Sequence, residues 1–239
     1  MRKKEILKIN KSLKQMLDID SLGFRDEDIY ESTTVLLKDR GNLTACILYS
    51  FYVSKYKDLK ISGLSYGFFS SEINDILFKV FDSIKTTDIE GSPINHKYEY
   101  TINHRIVGEE WYDHVKKNFS IIFIESGVFY EDRVVLFAEM FKKHIETYIE
   151  PYFESYQSLQ DINDKIIEAF DESKWGDFFY GETNFRVTII MKLCKNPRYE
   201  SFTEMVNDRI YSAIYNQGLT EYQNYYKMYN VLLDILSKL

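Results

Sequence analysis

The four histidines, His96, His104, His114 and His144, are the side chains with which this sequence could bind a metal ion. Their spacing matches no zinc-binding pattern, and the sequence His-Glu-x-x-His is absent. His104 falls on the apolar face of a predicted strand, where we expect a histidine at the edge of the core; a ligand-anchoring role is the alternative. The sequence therefore predicts no metal site and no bound cofactor.

The cysteines and serines lack the surroundings of a catalytic nucleophile. Cys46 and Cys194 lie far apart within apolar patterns, so we expect buried thiols in a reducing compartment, which indicates the cytoplasm. There is no Gly-x-Ser-x-Gly elbow, phosphate-binding loop or dinucleotide fingerprint. Acidic pairs lie near proposed helix ends, and a favourable interaction with the helix dipole at a helix start suffices to explain Glu109-Glu110 and Glu131-Asp132. We therefore predict no catalytic residue.

Arg186 is unusual because it lies in the first turn of an apolar helix predicted at residues 184–194. The helix dipole disfavours a cation at that end. A buried guanidinium also needs a carboxylate or several carbonyl groups as partners. We expect a structural ion pair, with ligand anchoring as the alternative role.

Tyrosine is abundant, with 20 residues, and the last predicted helix carries four candidate partner-binding tyrosines: Tyr222, Tyr225, Tyr226 and Tyr229. All except Tyr225 fall roughly in line with the leucines that follow, so part of this group is expected to be core. Tyr225 points elsewhere and could contact a partner protein, since tyrosine is enriched at protein interfaces.

The net charge of −7 argues against broad nucleic-acid binding, because most of the surface would repel phosphates. A hydrophobic content of 45% and a charged content of 28% are typical of globular proteins. No apolar run of 18 residues is present, so no transmembrane helix is expected.

The first half of the chain predicts an N-terminal helix, about four strands and a packed helix. Apolar spacing indicates helices at residues 4–17 and 71–84, and alternation indicates strands at residues 29–38, 43–53, 59–68 and 97–107. The segment 120–125 could be a strand or a helix. The last of these strands has one apolar face and one polar face, which indicates an antiparallel sheet.

The second half predicts mainly helices, at 131–151, from Ser158, at 184–194, at 202–216 and at 221–238. Two capping boxes, Ser201 with Glu204 and Thr220 with Gln223, place the starts of the last two. Strands first and helices later indicate an α+β fold. We expect residues 1–107 to form a sheet with helices, and residues 108–239 a helical region packed on it as one unit.

The opening layout is an amphipathic helix, Leu22-Gly23-Phe24, a three-strand meander and the helix from Ser71. Over about the first 85 residues it resembles small acidic bacterial cytoplasmic domains of uncharacterised function, some of them immunity proteins encoded beside polymorphic toxins. The resemblance implies a protein that binds and blocks a partner without catalysis. The resemblance assigns a functional role to no individual residue of this sequence.

Three functions are consistent with these observations. The leading hypothesis is a non-enzymatic protein-binding module, an immunity or inhibitor protein whose partner is basic. The alternative is an enzyme or small-ligand receptor with a site between sheet and helices, formed by His104, Arg186, Gly63 and Gly67. A structural subunit of a larger assembly is the third.

Overall fold

The computed structural model describes residues 2–30, 33–53, 59–83, 100–103, 122–125 and 128–239. Within them the fold is α+β, as predicted, with seven strands rather than four. Its contacts form two compact units. Unit 1 comprises Met1–Phe68 and Asn103–Gln157, and unit 2 comprises Phe69–Ile102 and Ser158–Leu239. Each unit is discontinuous in sequence, unlike the division at residue 107 expected from the sequence.

Unit 1 is built on a sheet with the strand order β1-β2-β3-β4-β6-β7. The pairs β1–β2, β2–β3, β4–β6 and β6–β7 are antiparallel. The strands are β1 (Arg25–Tyr30), β2 (Thr33–Arg40), β3 (Leu43–Val53), β4 (Leu59–Phe69), β5 (Ile102–Asn103, at the boundary of the units), β6 (Ile122–Glu125) and β7 (Val128–Phe129). Gly41 lies in the tight turn between β2 and β3. Its φ of +63° is a conformation that this kind of turn requires and that glycine adopts readily.

The strand predicted at residues 29–38 is wrong as a single element, because it joins the end of β1 to most of β2. Asp28 pairs with Thr34 and Tyr30 with Thr33 across the two antiparallel strands. The charged start of β1 has no apolar alternation, so periodicity could not find it. The undecided segment 120–125 contains strand β6. Of the strand predicted at 97–107, only residues 100–103 are described.

The helices of unit 1 are α1 (Arg2–Leu17), α3 (Glu131–His144), a first π-helical segment (Ile145–Ile149) and α4 (Glu150–Ser155). Helix α1 packs on α3. Pro151 lies in the first turn of α4, which continues directly from the π-helical segment. The regular helical hydrogen bonding is interrupted earlier, at the π-helical segment.

Unit 2 contains seven helical elements in its described residues: α2 (Ser71–Ser83), α5 (Leu159–Ile162), a second π-helical segment (Asn163–Ile167), α6 (Glu172–Trp175), α7 (Thr183–Leu193), α8 (Tyr199–Tyr215) and α9 (Tyr222–Leu236). Helix α7 is central, as its composition predicts, because all seven residues at 185–191 are buried. It packs against α2, α8 and α9.

The predicted caps are partly correct. The hydroxyl oxygens of Ser70 and Ser158 accept backbone N–H groups at the starts of α2 and α5. The Ser201 box is wrong, because α8 already begins at Tyr199 and the Ser201 hydroxyl donates to the carbonyl of Arg198, the cap residue of the helix. The Thr220 box is also wrong, since α9 starts one residue later with Glu221 as its cap. In the described part of the chain, no helix is long and apolar enough to span a bilayer.

Candidate functional site

Arg186 is the most deeply buried charged side chain in the described part of unit 2, with 1% of its surface exposed. Its Nε donates to the carbonyl of Tyr180 at 2.6 Å, and its Nη1 donates to Asn74 Oδ1 at 3.4 Å. Neutral oxygens therefore satisfy part of the guanidinium. The bonds join the start of α7 to the preceding connection and to α2.

The other residues of the sheet-and-helix hypothesis lie in other parts of the chain, apart from the unit that contains Arg186. His104 lies outside the described ranges. Gly63 and Gly67 belong to β4 in unit 1. Cys46 and Cys194 are both free thiols, and burial raises the pKa of Cys194 to about 11, so this thiol is protonated at neutral pH.

The tyrosines of α9 divide between core and surface. Tyr229 is fully buried, and Tyr225 is half-buried. Both rings pack edge-to-face on Phe185 of α7, with centroids 5.5 and 5.0 Å away. Tyr225 also accepts a hydrogen bond from Asn184 Nδ2 at 3.2 Å. The expectation that Tyr225 points away from the core is therefore wrong.

Tyr222 packs edge-to-face on Tyr225, with ring centroids 6.5 Å apart. Tyr222 is 42% exposed at the start of α9, and Tyr226 is half-buried. Of the four tyrosines singled out in the sequence, Tyr222 is the most exposed.

A more exposed aromatic surface lies on α8. We name it the α8 stripe; it consists of Glu204, Asp208, Tyr211 and Tyr215. Steps of four, three and four residues place these side chains on one helical face, over about 16 Å. Tyr211 and Tyr215 stack with ring centroids 4.3 Å apart, yet 51% and 64% of their surfaces remain exposed.

The opposite face of α8 forms the core contact of this helix. Its buried residues are Phe202, Thr203, Val206, Ile210 and Ile214. The α8 stripe is therefore not needed to attach the helix to unit 2. Sequence reasoning missed it, although the spacing of the two tyrosines was visible: both fall out of phase with Val206 and Ile210.

A second feature of unit 2 is a cleft of about 540 Å³ beside helix α6, which we name the α6 cleft. Most of the residues around it are charged. They are Glu168, Ala169, Phe170, Asp171, Glu172, Ser173, Arg198 and Arg209. Within the lining, Arg209 Nη1 pairs with Glu172 Oε2 at 3.0 Å.

Comparisons with protein-family models, with curated proteins and with solved structures found no match. The function therefore has to be inferred from the surfaces described above.

Proposed function

We propose that this chain is a non-enzymatic protein-binding module that binds and blocks a basic partner protein in the bacterial cytoplasm, in the manner of an immunity protein. The α8 stripe is its contact surface, and Tyr222 is a further candidate contact. The observation that carries the proposal is the stacked pair Tyr211 and Tyr215, which stays more than half exposed on a helix already attached through its other face.

Two adjacent aromatic rings in water favour association. A single exposed apolar side chain is ordinary on a protein surface, whereas contiguous exposed rings mark interaction sites. Tyrosine suits such a site because its ring gives a large contact area at a small entropic cost, and its hydroxyl remains hydrated until the partner binds. Stacking of Tyr211 on Tyr215 restricts both rings before binding.

The charge of the α8 stripe indicates the chemistry of the partner. Glu204 and Asp208 are exposed, and neither forms an ion pair with another residue in the described ranges. They precede the two tyrosines on the same helical face. Together with the net charge of −7, they favour encounter with a basic surface.

The test is purification of the affinity-tagged full chain from its native host, compared with the variant Tyr211→Ala/Tyr215→Ala. We expect the wild-type chain to recover one basic protein at equal stoichiometry and the variant to lose it. The matched control is Tyr52→Ala, which removes a tyrosine that is 49% exposed on β3 of unit 1. That variant should recover the partner as the wild type does.

Charge reversal tests the second part of the proposal. Glu204→Lys/Asp208→Lys should slow association with the recovered partner about tenfold or more at low salt, with a smaller effect at high salt. Recovery of the chain without a stoichiometric partner, or equal binding by the tyrosine variant, contradicts the proposed function.

A further inference from the structure

The α6 cleft has the size of a small-molecule site but an unusual lining. Its volume of about 540 Å³ falls within the range of known ligand pockets, roughly 300–1,000 Å³. Such pockets are mainly apolar, whereas here five of the eight lining residues are charged. Seven of the eight lining residues are exposed, so the cleft is open to solvent, and a charged ligand complements its lining better than an apolar one.

Glu168 is held in place by one buried amide, that of Asn196, which also bonds to the buried Asn163. The second π-helical segment ends immediately before it, and π-helical turns are frequent at functional sites. Asn196 Nδ2 donates to Glu168 Oε1 at 2.5 Å and to Asn163 Oδ1 at 2.8 Å. Asn163 and Asn196 are both at least 95% buried. The carboxylate is therefore positioned before any ligand arrives.

Arg198 is positioned by the same asparagine. The Asn196 Oδ1 atom accepts the backbone N–H of Arg198 at 2.8 Å. The Arg198 guanidinium donates to the Ile167 carbonyl at 3.4 Å and lies 6.0 Å from the centre of the Trp175 ring. The buried Asn196 side chain thus positions both the Glu168 carboxylate and the Arg198 backbone at the α6 cleft.

The charged residues that line the α6 cleft are not all paired with one another. Arg209 is paired with Glu172. No ion pair with another described residue involves Glu168, Asp171 or Arg198. The cleft therefore presents two carboxylates and one guanidinium for which a ligand could supply the partners. The complementary ligand carries two cationic groups and one anionic group.

We propose that the α6 cleft binds a free basic amino acid, with its α-carboxylate on Arg198 and its ammonium and side-chain cation on Glu168 and Asp171. Arginine and lysine have this set of charges. A carboxylate on a guanidinium is a charge-assisted and often bidentate contact. This site is separate from the α8 stripe, so it stands or fails independently of the proposed function.

Isothermal titration of the full chain with L-arginine, L-citrulline and agmatine tests the proposal. Citrulline keeps the shape of arginine without the side-chain cation, and agmatine lacks the carboxylate. We expect L-arginine to bind and each analogue to bind at least about tenfold more weakly. Absence of arginine and lysine binding up to about 10 mM overturns the proposal. Equal binding of citrulline or agmatine does so as well.

Variants assign the roles. Glu168→Gln should weaken L-arginine binding about tenfold or more, and Arg198→Gln should abolish the preference for arginine over agmatine. The control Glu200→Gln changes an exposed carboxylate outside the lining and should leave binding unchanged. A merely structural role for Arg198 would not alter the ratio of the two affinities. Equal binding of Nα-acetyl-arginine N-methylamide would overturn the assignment to a free amino acid and identify the cleft as a site for an arginine within a protein.

Discussion

The hydroxyl oxygens of Tyr229 and Thr188 lie 3.0 Å apart and form a hydrogen bond between α9 and α7. The Thr188 hydroxyl also donates to the Asn184 carbonyl at 2.7 Å, so the Tyr229 hydroxyl is the donor of the first bond. Burial raises the pKa of Tyr229 from 10.0 to about 12. A neutral phenol is therefore part of the folded core of unit 2.

This relationship predicts a loss of stability in alkaline solution. Between pH 10 and pH 12 the unfolded chain releases the Tyr229 proton while the folded chain retains it, so the free energy of unfolding falls as the pH rises. Below pH 10 the contribution of Tyr229 to the free energy of unfolding is present in full. We expect Tyr229→Phe to cost about 1 kcal/mol at neutral pH, for the lost hydrogen bond.

The pH dependence separates this effect from general alkaline denaturation. In urea unfolding at neutral pH and near pH 11, the Tyr229→Phe variant should lose less stability than the wild type, by up to about 1.4 kcal/mol per pH unit. An identical loss in both proteins would show that Tyr229 does not titrate in this range.

Glu150 connects α4 to strand β2 in unit 1. Its carboxylate pairs with Lys38 at 2.8 Å and with Arg40 at 3.1 Å, and its side chain is only 22% exposed. Glu150→Gln should lower the free energy of unfolding by about 1–2 kcal/mol, because two partly buried cations lose their shared anion. The control Glu146→Gln, on the exposed side of the first π-helical segment, should change it by less than about 0.5 kcal/mol. Equal effects would contradict this account.

Arg186 is expected to stabilise unit 2 whether or not it binds a ligand. Arg186→Met keeps the apolar stem but removes the donors to Tyr180 and Asn74, and should cost about 1–3 kcal/mol in thermal or urea unfolding. The control Arg209→Met removes an arginine whose side chain is 65% exposed and should cost less than about 0.5 kcal/mol. If the Arg186→Met variant is as stable as the wild type, the structural explanation for this buried cation is lost.

Two exposed glycines should respond oppositely to alanine. Gly218 has a φ of +74° and Gly176 a φ of −59°, and a Cβ at either position meets no atom within 4 Å. Gly218→Ala should therefore cost about 1–2 kcal/mol from backbone strain alone. Gly176→Ala should be neutral or stabilise by about 0.4–1 kcal/mol, because the unfolded chain loses freedom. Equal melting temperatures for the two variants would be the contrary result.

Periodicity predicted the elements whose apolar residues recur regularly. Helix α2, strand β3 and the apolar helix α7 lie close to their expected positions, since burial follows the 3.6- and 2-residue repeats. It failed for β1, whose strand conformation comes from pairing with β2 rather than from its own charged residues. It also misplaced the start of α8, which begins at Tyr199, three residues before the start that the Ser201 capping box predicts.

The candidate surfaces were harder to foresee. The phase of α9 was misjudged by one position, so Tyr225 was assigned to the surface although it packs on Phe185. The α6 cleft combines Glu168 with Arg198, which are distant in sequence and are joined through the Asn196 side chain and the Ile167 carbonyl. No spacing within one helix could indicate that arrangement, since it depends on contacts between separate segments.

The interleaving of the two units has a consequence for synthesis. Helix α2 ends at Ser83, but its packing partner α7 begins at Thr183 and α9 ends at Leu236. At roughly 5–20 residues per second, α2 leaves the ribosome about 5–20 s before α7 begins to follow, and its apolar face waits longer still for α9. The nascent chain therefore carries Ile73, Ile76 and Val80 without their final partners for most of its translation, which makes this helix, like the earlier α1, a segment to which a holdase chaperone would bind.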